Sequence, residues 1–296
     1  MNLVGHKKQK DLLERMVSSG KIPHNILFTG PEAVGKKRAA FELVKRINCP
    51  QNGCNDCKAC KDIDERKHAD LFLIEGEDEI KIDRVRDLQK RLSLTGEKKG
   101  SYKAAIIDEA HLLNSQAQAC LLKTLEEPKG NALIILITEK PNTLLDTILS
   151  RMWAIKFSFV QTNLIKKDLI SRGANKAEAE KIADLSFSKP GLAIKLFESD
   201  KFRKDWIKKG EDLKELRDSY LGKRFDYVKK MAKDKEKARE TLKIWSSILR
   251  KEMIQADDED AVRDKEALEV IEDTLFLTSK TNINFKLALE KIIINL

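Results

Sequence analysis

Glycine and proline are scarce, thirteen and six among 296 residues, about half of ordinary usage. Sandwiches and barrels spend those residues at their many turns, so the shortage argues against an all-β architecture and for long helices with short connections. Long hydrophobic runs are missing too: the longest, 132–137, is six residues. That is too short for a signal peptide or a membrane span, so a cytoplasmic protein with no membrane partner is expected. Aromatic residues are few, at 6%. Apolar residues nevertheless reach 41% beside 35% charged, enough to build a core and too many for a disordered chain.

At roughly 150 residues per domain the length suggests two domains, or three small ones. The net charge of +9 suits a polyanionic partner, or equally a solvated surface in which basic and acidic residues alternate. Residues 1–162 alternate β-type runs (24–29, 71–75, 104–108, 133–138 and 153–159) with helical patterns, the signature of a parallel sheet covered by helices. From Leu164 onward only helical spacing remains, as in Leu242, Trp245, Ile248 and Leu249. A break at Ser188-Lys189-Pro190-Gly191 divides this half into a small domain, 163–203, and a bundle, 204–296. Asp257 to Asp260 reads as an acidic loop between bundle helices.

Ile26-Leu27-Phe28 runs into Gly30-Pro31-Glu32-Ala33-Val34-Gly35-Lys36-Lys37 and then a helical pattern from Arg38 to Ile47. This is GxxxxGK in its proper setting, after a strand and opening a helix. Gly30 and Gly35 allow backbone N–H groups to turn inward around an anion, and Lys36 would reach its phosphates. The Ser or Thr that ends such motifs and holds Mg²⁺ is replaced by Lys37, which offers no oxygen and adds a positive charge. Mg²⁺-dependent hydrolysis of ATP is therefore not expected. The loop then either binds nucleotide weakly or survives as an element of the fold.

The apolar strand Ala104 to Ile107 ends in Asp108 and Glu109. In an intact site the first would orient Mg²⁺ and the second polarise the attacking water; with Lys37 present they are expected to be vestigial. Asn114 is placed to cap a helix whose stripe of Ala117, Leu121, Leu122 and Leu125 reads as core.

Cys49, Cys54, Cys57 and Cys60 form C-x₄-C-x₂-C-x₂-C. Four thiols so close together in a reducing compartment suggest a closed tetrahedral Zn²⁺ site of structural type, with an iron–sulfur cluster as the alternative. Cys120, alone in an apolar helix pattern, is expected to be buried. Arg151 follows a short helical stretch, 144–151. Such an arginine can cap carbonyls, form a salt bridge, or bind a phosphate held by a neighbouring subunit.

Taken in order, the phosphate loop, the four-cysteine insertion, IIDEAHLLNSQAQACLLKTLEEP (106–128), ILITEKPN (135–142) and SRM (150–152) resemble the clamp-loader branch of the AAA+ ATPases. The likeness covers residues 1–203 and extends loosely to the Trp245 helix and the final NINFKLALEKIIINL. It implies an α/β AAA+ P-loop domain, a small helical lid and a C-terminal helical bundle that joins a pentameric ring. It also implies partners: gamma/tau ATPase subunits and delta, with the sliding clamp and primer–template DNA reached through the complex. In that family the serine-arginine motif lends an arginine finger to the ATP of the adjacent subunit, a role that falls on Arg151. A nucleotide-sensing residue falls at Thr138 or Glu139. The lid arginine of the family's ATPases has no counterpart in Ser188 to Ala193, and Met152 stands where a Cys commonly follows the arginine. Met152 leaves the arginine in place, while Lys37 and the missing lid arginine imply a stator. The alternatives are an active gamma/tau-like ATPase subunit and a zinc-dependent nucleic-acid-binding module.

Overall fold

The computed structural model describes residues 3–76, 79–93, 102–128, 130–255, 258–280 and 284–296. Asp257, and Asn282 and Ile283 of the final stretch, lie outside the described residues. The chain forms two compact units, Met1–Ile194 and Lys195–Leu296.

In the first unit, five parallel strands form one sheet in the order β2-β3-β4-β1-β5. They are β1 (Asn25–Thr29), β2 (Leu71–Ile74), β3 (Lys103–Ile107), β4 (Ala132–Thr138) and β5 (Trp153–Lys156). Each expected β-run is present, within a residue or so at most ends. The exception is the last, which pairs only as far as Lys156, although Phe157 N still donates to Thr29 O at 2.7 Å.

All seven residues of β4 are buried, because both faces of the sheet are covered. Successive side chains feed two separate cores. Ile26, Phe28, Leu133, Ile135 and Ile137 pack with α1 (Lys7–Ser19), α2 (Lys36–Asn48) and α3 (Lys58–Asp64). Leu27, Ile134, Leu136, Ala105 and Ile107 pack with α4 (Ile82–Ser93), α5 (Ser115–Glu126) and α6 (Asp146–Leu149). Each fully buried Leu or Ile contributes roughly 1.5–3 kcal/mol.

Asn114 caps α5 as its sequence position suggests, its side chain accepting from Ala117 N at 2.8 Å. Ala117, Leu121 and Leu125 are buried on the core stripe, while Leu122 is only partly so. Cys120 is half-buried rather than buried, because its helix face turns toward Gln89, whose Oε1 lies 3.4 Å from the thiol. Two further helices, α7 (Thr162–Ser171) and α8 (Lys176–Leu185), complete this unit, and α9 (Pro190–Glu198) begins in it.

The second unit is helical: α10 (Asp200–Arg217), α11 (Leu221–Met231), α12 (Lys235–Gln255), α13 (Asp258–Lys280) and α14 (Phe285–Ile294). Its core gathers Leu213, Leu242, Trp245, Leu249, Ile271 and Leu289. The buried Trp245 indole donates to Lys209 O at 2.9 Å, satisfying the one polar group that its burial would otherwise strand. Asp258 to Asp260 form the first turn of α13 rather than a loop. The positive end of the helix dipole favours acidic residues in a first turn.

Candidate functional site

All the strands are parallel, so the loops after their C-terminal ends gather along one edge of the sheet. The phosphate loop leaves β1 there. Gly30 adopts φ 131°, and a Cβ on it would fall 2.1 Å from Phe157 O, so only glycine fits. Val34 is buried, and its carbonyl accepts from His6 Nε2 at 2.9 Å in the tautomer protonated on that nitrogen. Burial lowers the His6 pKa below its ordinary value, outweighing that hydrogen bond. On the other side of the loop, Gly191 N donates to Ala33 O at 2.8 Å, which seats the start of α9 on the loop.

Lys36 opens α2 and is buried, its Nζ donating to Gly30 O at 2.6 Å and Pro31 O at 2.5 Å. Burial lowers its pKa, although Glu109, Glu139, Asp108 and Glu32 favour the charged form. The lysine expected to reach a phosphate thus lies across the carbonyls of its own loop.

Lys37 points elsewhere. Its ammonium hydrogen-bonds Glu75 and lies 3.1 Å from Asp108 Oδ2. Burial opposes its charge, yet these two carboxylates hold its pKa above the ordinary lysine value. Glu75 was not evident as a site residue from the sequence. It enters through register: Ile74 pairs with Ile107, so the residues that follow, Glu75 and Asp108, end side by side. Arg66 takes the other Glu75 oxygen at 2.6 Å, and Asp108 Oδ1 accepts from Glu109 N at 3.1 Å. All four oxygens of the two carboxylates are engaged by the protein itself.

Glu109 adopts a left-handed backbone, φ 53°, and its Oε2 lies 3.5 Å from His111 Nε2. His111 Nδ1 in turn lies 3.4 Å from Oγ1 of Thr138, which is buried at the end of β4 and accepts from Lys140 N at 3.0 Å. Of the two candidate sensing residues, Thr138 is therefore connected to the Asp108–Glu109 turn through His111, whereas Glu139 acts on Lys36 by charge.

Arg151 is not brought to this edge. The side chain of Asn25, at the start of β1, donates to Arg151 O at 3.3 Å, whereas the phosphate loop begins after Thr29. Four residues of extended chain place them roughly 13 Å apart along the strand direction. The Arg151 guanidinium bonds Thr147 O at 2.8 Å and Glu126 at 2.8 Å and remains partly exposed. Trp153, two residues on in the edge strand β5, is 49% exposed.

The cysteines converge. Cys49 ends α2, Cys57 caps α3, Cys60 lies within α3, and all four sulfurs lie within 4.8 Å of one another. Cys49 Sγ is 3.7 Å from Cys54 Sγ and 3.6 Å from Cys57 Sγ. Tetrahedral Zn–S bonds of about 2.3 Å separate sulfurs by about 3.8 Å, so this set fits one Zn²⁺. Burial raises the Cys49 pKa, but N–H groups of Cys54, Gln51 and Gly53 outweigh it and bring the thiol down to about 6. Burial pushes Cys60 up to about 12, as expected of a thiol closed off from water. The buried Lys45 ammonium ties the insertion to α2 through Asn55 at 2.9 Å and Asp64 at 2.5 Å.

Over residues 5–161, which hold the phosphate loop, the cysteines and Arg151, the sequence matches the family described as DNA polymerase III, delta subunit. The chain belongs to that family. It is thus a clamp-loader-branch AAA+ protein. It is 33% identical to DNA polymerase III subunit delta' of Bacillus subtilis over 195 residues, 64% of this chain and 59% of that protein. It is equally 33% identical to the delta' subunit of Pseudomonas aeruginosa over 150 residues, 48% of this chain and 45% of that one. A B. subtilis tau subunit is 33% identical over 168 residues, 55% of this chain and 30% of tau. The chain thus spans under two thirds of the length of these curated relatives. In fold, a DNA polymerase III gamma subunit-related protein of Thermotoga maritima superposes with a TM-score of 0.52 at 18% identity, covering 95% of this chain and 97% of that one. The AAA+ likeness drawn from the motifs is therefore matched by family and by fold, and among the described residues no helix is long and apolar enough to cross a membrane.

Proposed function

We propose that this delta-family chain is a delta-prime-like stator of a bacterial clamp loader. It takes a place in a pentameric ring with gamma/tau ATPase subunits and delta, and lends Arg151 in trans to the ATP of a neighbour. The ring helps to load the sliding clamp on primed DNA. Residues 1–162, 163–203 and 204–296 serve as AAA+ module, lid and ring-forming collar, and the four cysteines hold a structural Zn²⁺.

The observation that carries this reading is the Lys37 ammonium 3.1 Å from Asp108, where a self-sufficient ATPase needs a hydroxyl and a metal ion. Arg151 supports it from the other end of the strands. It is too far from its own phosphate loop to act there, partly exposed, and always charged. Placed against a neighbour's triphosphate, the guanidinium would stabilise charge developing on the transferred phosphoryl oxygens.

The tau relative supports a second reading, an active ATPase subunit in which Lys36, Asp108 and Glu109 work despite Lys37. The two readings part on the purified chain alone. A stator turns over little or no ATP. Turnover that Lys36→Ala abolishes would establish the second reading and overturn the first.

A further inference from the structure

The ion pairs around Lys37 bear on what the phosphate loop itself can hold. In a metal-dependent site of this fold, the divalent ion offsets the charge of the acidic residues at the strand ends, so that a phosphate can approach them. Here Glu75 and Asp108 are offset without one. Lys37 hydrogen-bonds Glu75 and lies 3.1 Å from Asp108, Arg66 takes the second Glu75 oxygen at 2.6 Å, and Glu109 N takes the second Asp108 oxygen at 3.1 Å. Mg²⁺ requires a near-octahedral shell of oxygens at about 2.0–2.1 Å. An ammonium supplies none and repels the ion. The residues present therefore do not fit a bound Mg²⁺.

The anion side of the loop is intact. Gly30 keeps the turn that only glycine permits, Gly35 adopts φ 109° at the start of α2, and Lys36 sits at the loop's mouth. Its two carbonyl contacts are ones that a phosphate can replace.

We infer that the Lys37 ammonium is a resident cation standing where this fold carries its divalent ion, so that the loop takes a nucleoside diphosphate or triphosphate as the bare anion. The inference rests on the phosphate-loop reading of Gly30 to Lys36 and is independent of the role of Arg151. A chain with metal-free binding could still fail to act in trans, and the reverse.

Calorimetric titration of the full chain with ADP, in EDTA and in millimolar Mg²⁺, tests it. Binding is expected in EDTA and should be weaker in Mg²⁺, because the ion contributes no bond to the protein and competes with it for the bare diphosphate. Manganese resonance spectra of the chain with ADP should show no protein-bound ion. Lys37→Thr, which supplies the missing hydroxyl, should bind ADP at least about tenfold more tightly with Mg²⁺ than without, and should acquire a bound Mn²⁺. Wild-type binding that appears only with Mg²⁺, or no ADP binding under either condition, would overturn the inference. So would a bound Mn²⁺ in the wild-type complex.

Discussion

Arg151 Nη2 rests 2.8 Å from Glu126 Oε1, at the last residue of α5. On the proposed reading, a neighbour's phosphate would displace that carboxylate from the guanidinium. Exposed pairs of this kind contribute about 0.2–1 kcal/mol, so the exchange costs little. Glu126→Gln should therefore leave the DNA-stimulated ATPase rate of a reconstituted loader unchanged, or raise it by up to about fivefold. A fall as deep as that caused by removing Arg151 would instead make Glu126 a positioning residue.

The cysteine cluster should hold one zinc ion per chain, measured by elemental mass spectrometry on protein purified without added metal. Cys57→Ser should lose that ion and lower the melting temperature by roughly 5 °C or more, since the metal replaces packing that the short α3 segment lacks. Chelation of the wild type should reproduce the shift. Iron in place of zinc, or a full complement of protein with no metal, would refute the assignment.

Two glycines around the phosphate loop should respond differently to an added methyl group. Gly30→Ala places a Cβ 2.1 Å from the Phe157 carbonyl at a left-handed φ, and should cost about 3 kcal/mol or more. Gly191→Ala meets Ala33 O at 2.8 Å, and the start of α9 must shift to relieve it. Denaturant unfolding should rank Gly30→Ala as much the more damaging, and limited proteolysis should detect easier cleavage near 186–191 in Gly191→Ala. Equal effects would contradict the geometry.

His6 supplies a pH dependence. Its folded pKa lies below the ordinary 6.5, chiefly through burial, so the unfolded chain binds the proton more readily. Stability contributed by neutral His6 is therefore present above pH 6.5 and is lost as the pH falls below it. The loss of stability between pH 7.5 and 5.5 should be smaller in His6→Gln, which keeps a donor for Val34 O but does not titrate. Identical pH slopes would contradict this.

Much of this was legible in the sequence because the signals are local. GxxxxGK after an apolar strand, the cysteine spacing and the Asn114 cap each depend on residues a few positions apart. What escaped depends on strand order. Glu75 joins the site only because β2 pairs with β3 in a register that sets it beside Asp108, and no local pattern marks that pairing. His6 reaches Val34 across 28 residues. The acidic run 258–260 misled because polarity alone cannot separate a loop from the first turn of a helix. Cys120 misled because its helix sets it at the margin of the core, against Gln89, where it is only half-buried.

On the proposed function, Arg151 serves a neighbour's triphosphate and not its own. The most direct test of that role is the DNA-stimulated ATPase rate of a loader reconstituted with Arg151→Ala, alongside gel filtration to verify assembly. An intact complex whose rate falls by about tenfold or more is expected. An intact complex that hydrolyses ATP at the wild-type rate would contradict it.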